Sequence, residues 1–452
     1  DNLYKMLAAM GPILFGLASS SSSFLPDLTF SGAWDGLKKY LTEESPKPDA
    51  PANSSKLHHE VAPWTKGRTE DSPGFLAPEF AATGASQKRW TVPKVDSDSF
   101  TLERLEEFRH KRPVVLRGLV GRWPATREWT WEQLADPAGR YKHFKLEKHL
   151  LKYFSTHGKN ENLFLENIIL KPPFSHDCPF ASVTEQGDGP NKLLGRNYLP
   201  RLNEAWAQTK KEAVSAGLLD GNDDFAESVQ GFIIAGPAGA GGMLHMDPDF
   251  TAYWNALVHG RKRWMFVKPE DLEELAKAIV HADLGQDLAL LTSPPTNLGR
   301  EPTFKLISKL LQKVPAVHWF GKLLPLLQQA GIDFAHADII VEAGELVYGP
   351  PGIWHIALAL EDSICCSEQL IDDGNLLRFV KDEGQPYEPE FAYLGCQAAQ
   401  KHWPDLLEPL AAFCRRAERD LKRQNGFLQP KKSKGEACNG TNLSGNSSCH
   451  AG

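Results

Sequence analysis

The amino-acid sequence predicts a mainly β protein with a closed or double-sheet architecture and flanking helices. Three observations support this class. From residue 229 onward, short stretches rich in Val, Ile and aromatic residues recur, which is typical of strands. Turns rich in Gly and Pro separate these stretches, as in barrels and double sheets. A helical pattern interrupts the strands at residues 270–332 and returns at residues 406–421.

The predicted elements follow one another in a clear order. Thr101 caps a helix, RPVVLRGLV is a short strand, and GRWPATREWTWEQLAD is a turn leading into a second helix. GFIIAG, TAYWNALV and RWMFV are strands, and the last two form a predicted hairpin around the turn His259-Gly260-Arg261. After the helical insert, strands resume in DIIVEAGELVYGP, IWHIALAL and SICCSEQL.

Composition divides the chain into three parts. Residues 1–91 are a leader and a low-complexity linker, residues 92–425 are the folded domain with its C-terminal helices, and residues 426–452 are a disordered tail. In the leader, Lys5 and the apolar stretch Met6–Ala18 form either a signal peptide or an amphipathic leader. The stretch is too short for a stable membrane span.

The charge balance gives no global footprint for nucleic acid. The chain has 50 Lys and Arg against 57 Asp and Glu, for a net charge of -7. A short basic run in the tail, Lys431, Lys432 and Lys434, remains a candidate contact.

The seven cysteines do not form CxxC pairs, so nothing in the sequence demands an oxidising compartment. Cys365 and Cys366 are expected to be packed thiols in an apolar strand. Cys438 and Cys449 bracket a polar tail and are the natural candidates for a disulfide. The remaining cysteines are isolated in the sequence: Cys178, Cys396 and Cys414.

Two motifs carry a set of metal-ligand side chains. His245 and Asp247 stand at i and i+2, so on extended chain they point to the same side. His355 follows the rigid turn of PPGIWH and arrives from a strand remote in sequence. Two histidines and one carboxylate are the facial triad of non-haem Fe(II) oxygenases. The absence of a cysteine ligand argues against structural zinc, whereas catalytic zinc on the same three ligands remains an alternative.

Lys262 is the second informative residue. By the two-residue period it shares a strand face with Trp264 and Phe266, and a buried ammonium needs an anionic partner. A dicarboxylate such as 2-oxoglutarate would supply one, with Ser367 as a hydroxyl donor. The alternative is an exposed edge-strand lysine.

Three stretches, RPVVLRGLVGRWPA, GGMLHMDPDFTAYWNALVHGRKRWMFVKP and GELVYGPPGIWHIALALEDSI, resemble a jumonji-C (JmjC) domain of the cupin-like hydroxylase type. The resemblance runs from Val92 to Leu421 and points to the phosphatidylserine-receptor-like subfamily of lysyl hydroxylases and arginine demethylases. It implies a double-stranded β-helix, the cupin or jelly-roll fold, with a helical insert and C-terminal helices. The implied ligands of Fe(II) are His245, Asp247 and His355, and those of 2-oxoglutarate are Asn255, Lys262 and Ser367.

The same resemblance implies a dioxygenase that depends on Fe(II) and 2-oxoglutarate, with ascorbate as reductant. It would hydroxylate a protein side chain, lysine first, or demethylate methyl-arginine or methyl-lysine. A protein is the expected substrate, with tRNA as an alternative that lacks a basic footprint. The alternative from another class is a catalytically silent cupin scaffold. The helix stripe Leu406–Leu421 has two equal alternatives: it mediates a homodimer, as in related proteins, or it packs on its own barrel.

The resemblance implies the nucleus or cytoplasm, or the secretory pathway if Met6–Ala18 is a signal peptide. Two departures from the family stand out. The insert at residues 270–332 is longer than its counterparts. The family's tyrosine contact to 2-oxoglutarate falls near Phe164, which lacks the hydroxyl.

Overall fold

The computed structural model describes residue 80 and residues 87–136, 138–144, 163–166, 173–178, 191–195, 197–219, 231–298, 302–381 and 388–425. The leader, the pair Cys438 and Cys449, and the basic run of the tail lie outside these residues. The described residues divide into two compact units, one of residues 80–200 and 231–376, the other of residues 201–219 and 377–425. No helix among them is long and apolar enough to cross a membrane.

The described strands all belong to the first unit and form two sheets. The strands are β1 (Lys94–Asp96), β2 (Val114–Arg117), β3 (Leu163–Glu166), β4 (Gly231–Gly236), β5 (Ala252–His259), β6 (Arg261–Val267), β7 (Ala337–Glu342), β8 (Leu346–Gly349), β9 (Trp354–Ala359) and β10 (Ser363–Leu370). One sheet has the order β1-β2-β8-β5-β10-β4-β3, and the other has the order β7-β6-β9. All pairings are antiparallel except that of β1 with β2. The predicted mainly β, double-sheet class is confirmed.

The described helices are divided between the two units. They are α1 (Leu102–Leu105), α2 (Ala125–Glu128), α3 (Trp131–Ala135), α4 (Phe174–Asp177), α5 (Asn191–Leu194), α6 (Leu199–Ser215), α7 (Pro269–His281), α8 (Gly285–Leu291), α9 (Phe304–Leu311), α10 (Ala316–His318), α11 (Leu324–Gln329), α12 (Leu376–Val380), α13 (Pro389–His402) and α14 (Ala411–Gln424). A π-helical turn, Trp319–Leu323, joins α10 to α11. Thr101 caps α1 as predicted, because its side chain accepts a hydrogen bond from the Arg104 backbone N–H.

Strand alternation sorts the apolar side chains of the first unit into three layers. One face of the larger sheet packs with the N-terminal helices around Trp123, Trp129 and Trp254. The opposite face meets the smaller sheet in an interior that includes Tyr253 and Trp264. The outer face of the smaller sheet is covered by the helices of the insert. The interior between the sheets is therefore closed by packed layers on both sides.

The predicted hairpin of β5 and β6 is wrong. β5 pairs with β8 and β10, whereas β6 pairs with β7 and β9, so the chain changes sheets between them. Gly260 makes this crossing with a positive φ of 84°, and a Cβ there would lie 2.5 Å from the carbonyl oxygen of Asp362. Two neighbouring strands joined by a glycine turn are compatible with a hairpin and also with a crossing between sheets. The strands that decide between the two lie later in the chain.

The cysteine prediction also needs correction. Cys178 is bonded to Cys366 in the first unit, and Cys396 is bonded to Cys414 in the second. Cys365 is free and buried. Each bonded pair is brought together by packing between separate elements, so sequence spacing gave no indication of it.

In the second unit, the predicted stripe of the last helix is covered by its own chain. The segment Pro404–Leu410 is a 3-10 helix with Pro409 inside it, and the α-helix proper, α14, ends at Gln424. The buried members of the stripe are Leu407, Leu410, Ala417 and Leu421. A homodimer through these helices remains a prediction.

We expect the insert to be part of the folded core. Trp319 is fully buried, and its indole Nε1 donates to the sulfur of Met265 on β6 at 3.3 Å. Trp319→Phe should therefore lower the free energy of unfolding by about 1–3 kcal/mol, because it leaves a gap in a packed layer. Leu290→Ala, at a side chain that is 59% exposed in the same insert, should change it by less than about 0.5 kcal/mol. Equal effects of the two substitutions in chemical denaturation would show that the insert is loosely attached.

Candidate active site

The backbone brings the three predicted metal ligands together. His245 and His355 form an isolated antiparallel bridge, in which each N–H donates to the other's carbonyl, at 3.0 and 2.8 Å. Asp247 has an extended backbone and lies two residues after His245, so its side chain points to the same side as that of His245. The 3-10 turn Pro248–Phe250 follows directly. The three residues form one potential metal cluster, whose ligand atoms lie within 4.8 Å of one another.

The donor atoms of the cluster fit a single ion. Asp247 Oδ1 lies 3.7 Å from His245 Nε2 and 3.9 Å from His355 Nε2. Donors bound at about 2 Å can be up to about 4 Å apart on one ion. Each imidazole has its Nδ1 at a backbone carbonyl, that of Met243 at 2.7 Å and that of Ile353 at 3.3 Å. Such contacts orient ligating imidazoles, because they hold the Nδ1 proton and leave Nε2 free for the metal.

Burial disfavours the charged forms of the cluster's side chains. It lowers the pKa of His355 well below its usual value, and the neighbouring His245 lowers it further. Burial also raises the pKa of Asp247 to about 6, opposed in part by His245. A neutral imidazole is the form that binds metal, and a buried carboxylate is stabilised by a cation beside it.

Lys262 points into the interior, and the exposed alternative is wrong. The residue is 4% exposed, and its strand neighbours Trp264 and Phe266 belong to the interior layer. Its Nζ lies 3.2 Å from the thiol sulfur of Cys365. Among the described residues, no carboxylate forms an ion pair with this ammonium. A buried ammonium whose partner is a thiol remains suited to an anionic ligand.

Asn255 and Ser367 are cross-strand partners on β5 and β10, and Asn255 shares the contact with the Cys365 sulfur that Lys262 makes. Both are buried, and Asn255 Nδ2 donates to Cys365 Sγ at 3.5 Å. The Ser367 hydroxyl donates to the backbone carbonyl of Trp254 at 2.7 Å. That proton is already used, so the assignment of Ser367 to a cosubstrate stays a prediction. Phe164 pairs with Ile234 between β3 and β4, and its side chain lies outside the described part.

The strand register arranges the interior in levels. His355 is opposite Phe266, and two residues along β6 Trp264 is opposite Ala357. Lys262 is two residues further, so the triad and the ammonium lie at opposite ends of one apolar interior. A ligand that reaches from the metal to Lys262 would have a polar group at each end.

Sequence reasoning missed Cys365 and Tyr253 in this interior. The sequence predicts Cys365 to be a packed thiol, and its sulfur also contacts Lys262 and Asn255. Tyr253 is two residues before Asn255 and therefore shares its strand face. Applying the same alternation to β5 would have found it. Burial raises the pKa of its phenol well above the usual value, and the charge of Asp247 adds to the shift.

The chain segment that leads to His245 packs closely against β9 at Gly241. A Cβ there would collide with the carbonyl oxygen of Ala357 and with the Cβ of Ala316, whereas a Cβ at Gly242 would make ordinary contact with the His245 ring, at 3.6 Å from Cε1 and 3.9 Å from Nδ1. We expect Gly241→Ala to destabilise the protein by about 1–3 kcal/mol and to weaken metal binding, because the bridge to β9 must shift. Gly242→Ala should be close to neutral. Thermal unfolding and metal titration of both variants measure the difference. Identical behaviour of the two variants would contradict the close packing of Gly241 against Ala357 and Ala316.

The two facing sheets and the His-Asp-His cluster define a metal-binding β-helix of the cupin class. The chain belongs to the cupin-like domain family, whose model matches residues 102–367. It is 23% identical to the bifunctional arginine demethylase and lysyl-hydroxylase psr-1 of Caenorhabditis elegans over 329 residues, 71% of each chain. The resemblance to the JmjC hydroxylase subfamily is therefore confirmed.

Other relatives share shorter stretches. The lysine-specific demethylase JMJ21 of Arabidopsis thaliana is 26% identical over 275 residues, 60% of this chain and 24% of that protein. The 2-oxoglutarate and iron-dependent oxygenase JMJD4 of Homo sapiens is 30% identical over 155 residues, 34% of this chain and 30% of that protein. The chain thus spans about a quarter to a third of these two proteins.

Proposed function

We propose that this protein is an Fe(II)- and 2-oxoglutarate-dependent dioxygenase that hydroxylates a protein side chain or demethylates a methylated one. The observation that carries the proposal is the single interior shared by the triad and Lys262. A catalytically silent scaffold has no need of a metal cluster together with a buried cation that has no carboxylate partner among the described residues. The relatives named for 2-oxoglutarate, iron, demethylation and lysyl hydroxylation support the same class.

The metal ligands and the residues that would bind the distal carboxylate of 2-oxoglutarate lie at different ends of the interior. His245, Asp247 and His355 would hold Fe(II) through two imidazole nitrogens and one carboxylate, the set that suits this ion. Lys262 would bind the distal carboxylate of 2-oxoglutarate, and Asn255 would assist through its amide. When bound, the two groups let dioxygen convert 2-oxoglutarate to succinate and carbon dioxide while one oxygen atom enters the substrate.

The protein's own part is orientation and exclusion of water. The aromatic rings of Tyr253 and Trp264 pack against the His355 imidazole, at 4.6 and 5.9 Å between ring centroids. They hold that ligand in place and make the metal-facing wall apolar. Such a wall keeps bulk water from the reacting groups.

The substrate would approach from the side of His245. Its side chain is 50% exposed, against 6% for that of His355, and Met243 beside it is 39% exposed. A long side chain such as lysine or methyl-arginine can reach the metal from this side while its backbone stays outside. We propose lysine first and methyl-arginine second, because the psr-1 relative carries both activities in its name and matches over the largest share of its length.

Peptide assays test this proposal. Lysine-bearing peptides and their methyl-arginine counterparts would be incubated with Fe(II), 2-oxoglutarate and ascorbate, and analysed by mass spectrometry. A gain of one oxygen on lysine supports hydroxylation, whereas loss of a methyl group with release of formaldehyde supports demethylation. Absence of both, with succinate still formed, would move the substrate away from these side chains. Absence of succinate as well would favour a scaffold.

A further inference from the structure

The interior contains buried hydrogen-bond donors for which the described residues supply no acceptor. The hydroxyl of Tyr253 and the indole Nε1 of Trp264 are both unpaired, and their residues are 4% and 5% exposed. Lys262 Nζ and Asn255 Nδ2 have only the sulfur of Cys365 as an acceptor among these residues, and sulfur is a weak one. Buried polar groups are normally paired, so an unpaired group calls for a specific explanation.

Tyr253 lies at the metal end of this set. Its ring centroid is 4.6 Å from that of His355, and its ring runs nearly parallel to that of Trp264 at 6.2 Å. On β8 it faces Gly349, where a Cβ would collide with the phenol ring. The absence of a side chain at position 349 therefore makes room for this ring beside the triad.

The Tyr253 hydroxyl has no acceptor within the described part of the chain, so it fits a ligand that brings oxygen atoms to the metal end. The proposed cosubstrate has one carboxylate at the metal end and another at the Lys262 end. We infer that the Tyr253 hydroxyl donates a hydrogen bond to the metal-end carboxylate of 2-oxoglutarate, and so is a cosubstrate-binding residue. This inference rests on the proposed function. It adds a contact to Asn255, Lys262 and Ser367, which the family resemblance implies.

Binding measurements without turnover test the inference. Mn(II) and then 2-oxoglutarate would be titrated calorimetrically into wild type and Tyr253→Phe, which keeps the ring and removes the hydroxyl. The variant should bind Mn(II) normally and 2-oxoglutarate about tenfold or more weakly, as expected for a lost hydrogen bond to a charged group. Its melting temperature without ligand should be equal or higher, because an unpaired buried hydroxyl is removed. Its thermal shift on adding 2-oxoglutarate should be smaller.

Tyr348→Phe is the matched control. Tyr348 is on the neighbouring strand β8, is 1% exposed and also has an unpaired hydroxyl, but it faces the layer of N-terminal helices. Its variant should bind 2-oxoglutarate like wild type. Equal loss in both variants would show a general effect of tyrosine removal and would overturn the assignment.

A second probe locates the contact on the ligand. 2-Oxobutyrate has the metal-end carboxylate but lacks the distal one, so the Tyr253→Phe loss should persist with it while the effect of Lys262→Ala disappears. If wild type and Tyr253→Phe bind 2-oxoglutarate equally while Lys262→Ala does not, the Tyr253 inference fails and the proposed function stands. If wild type with Mn(II) does not bind 2-oxoglutarate, both fail.

Discussion

His355→Ala is expected to abolish metal binding and 2-oxoglutarate turnover, lowering both by well over about a hundredfold. Removal of a partner that merely orients a ligand already costs about 10–100-fold, and this substitution removes the ligand itself. Asp247→Asn should act in the same direction, because it replaces the only anionic donor of the cluster by a neutral amide. Fe(II) or Mn(II) titration gives the binding, and succinate formation gives the turnover.

The control is a buried histidine outside the cluster. His336 is 7% exposed, and its Nδ1 lies 2.9 Å from the carbonyl of Phe334. His336→Ala removes an imidazole that is buried about as deeply as that of His355. It should therefore destabilise the fold to a similar extent while leaving the triad intact. Metal binding should be retained in this variant. Full metal binding in His355→Ala would contradict the assignment of the cluster.

Lys262→Ala is expected to raise the KM for 2-oxoglutarate by about a hundredfold or more. Truncation of one partner of a buried charge pair costs about 2–5 kcal/mol, because the other charge is left unpaired. Metal binding should be unchanged, since Lys262 lies at the far end of the interior. The free protein should be equally stable or more stable, because the substitution removes a buried ammonium to which the described residues supply no carboxylate partner.

Lys268→Ala provides the comparison for that variant. Lys268 follows directly after β6 and is exposed, so it tests the removal of a positive charge near the same strand. Its KM for 2-oxoglutarate should match that of wild type. An unchanged KM in Lys262→Ala would mean that the cosubstrate is bound elsewhere.

Local patterns explain what the sequence could predict. A two-residue period placed Lys262 on the interior side of β6, and a His-x-Asp pair on extended chain placed two ligands side by side. The glycine and proline turn before His355 indicated a strand with fixed direction. Each of these signals lies within a few residues, and the structure agrees with all of them.

Long-range packing explains what the sequence could not predict. The exchange of partners by β5 and β6 depends on strands that follow much later, so a glycine turn alone suggested a hairpin. The bond between Cys178 and Cys366 joins segments 188 residues apart. The unpaired state of the Tyr253 hydroxyl depends on all its neighbours at once.

Succinate formation by the purified protein tests the central claim most directly. The assay contains 2-oxoglutarate, Fe(II) and ascorbate in air, with no added substrate, beside His355→Ala and an anaerobic control. We expect the wild type to form succinate without a substrate. We expect no succinate from the variant, and none from the wild type when iron or oxygen is left out. Succinate formed equally by wild type and variant, or no succinate together with no metal bound, would contradict the oxygenase assignment.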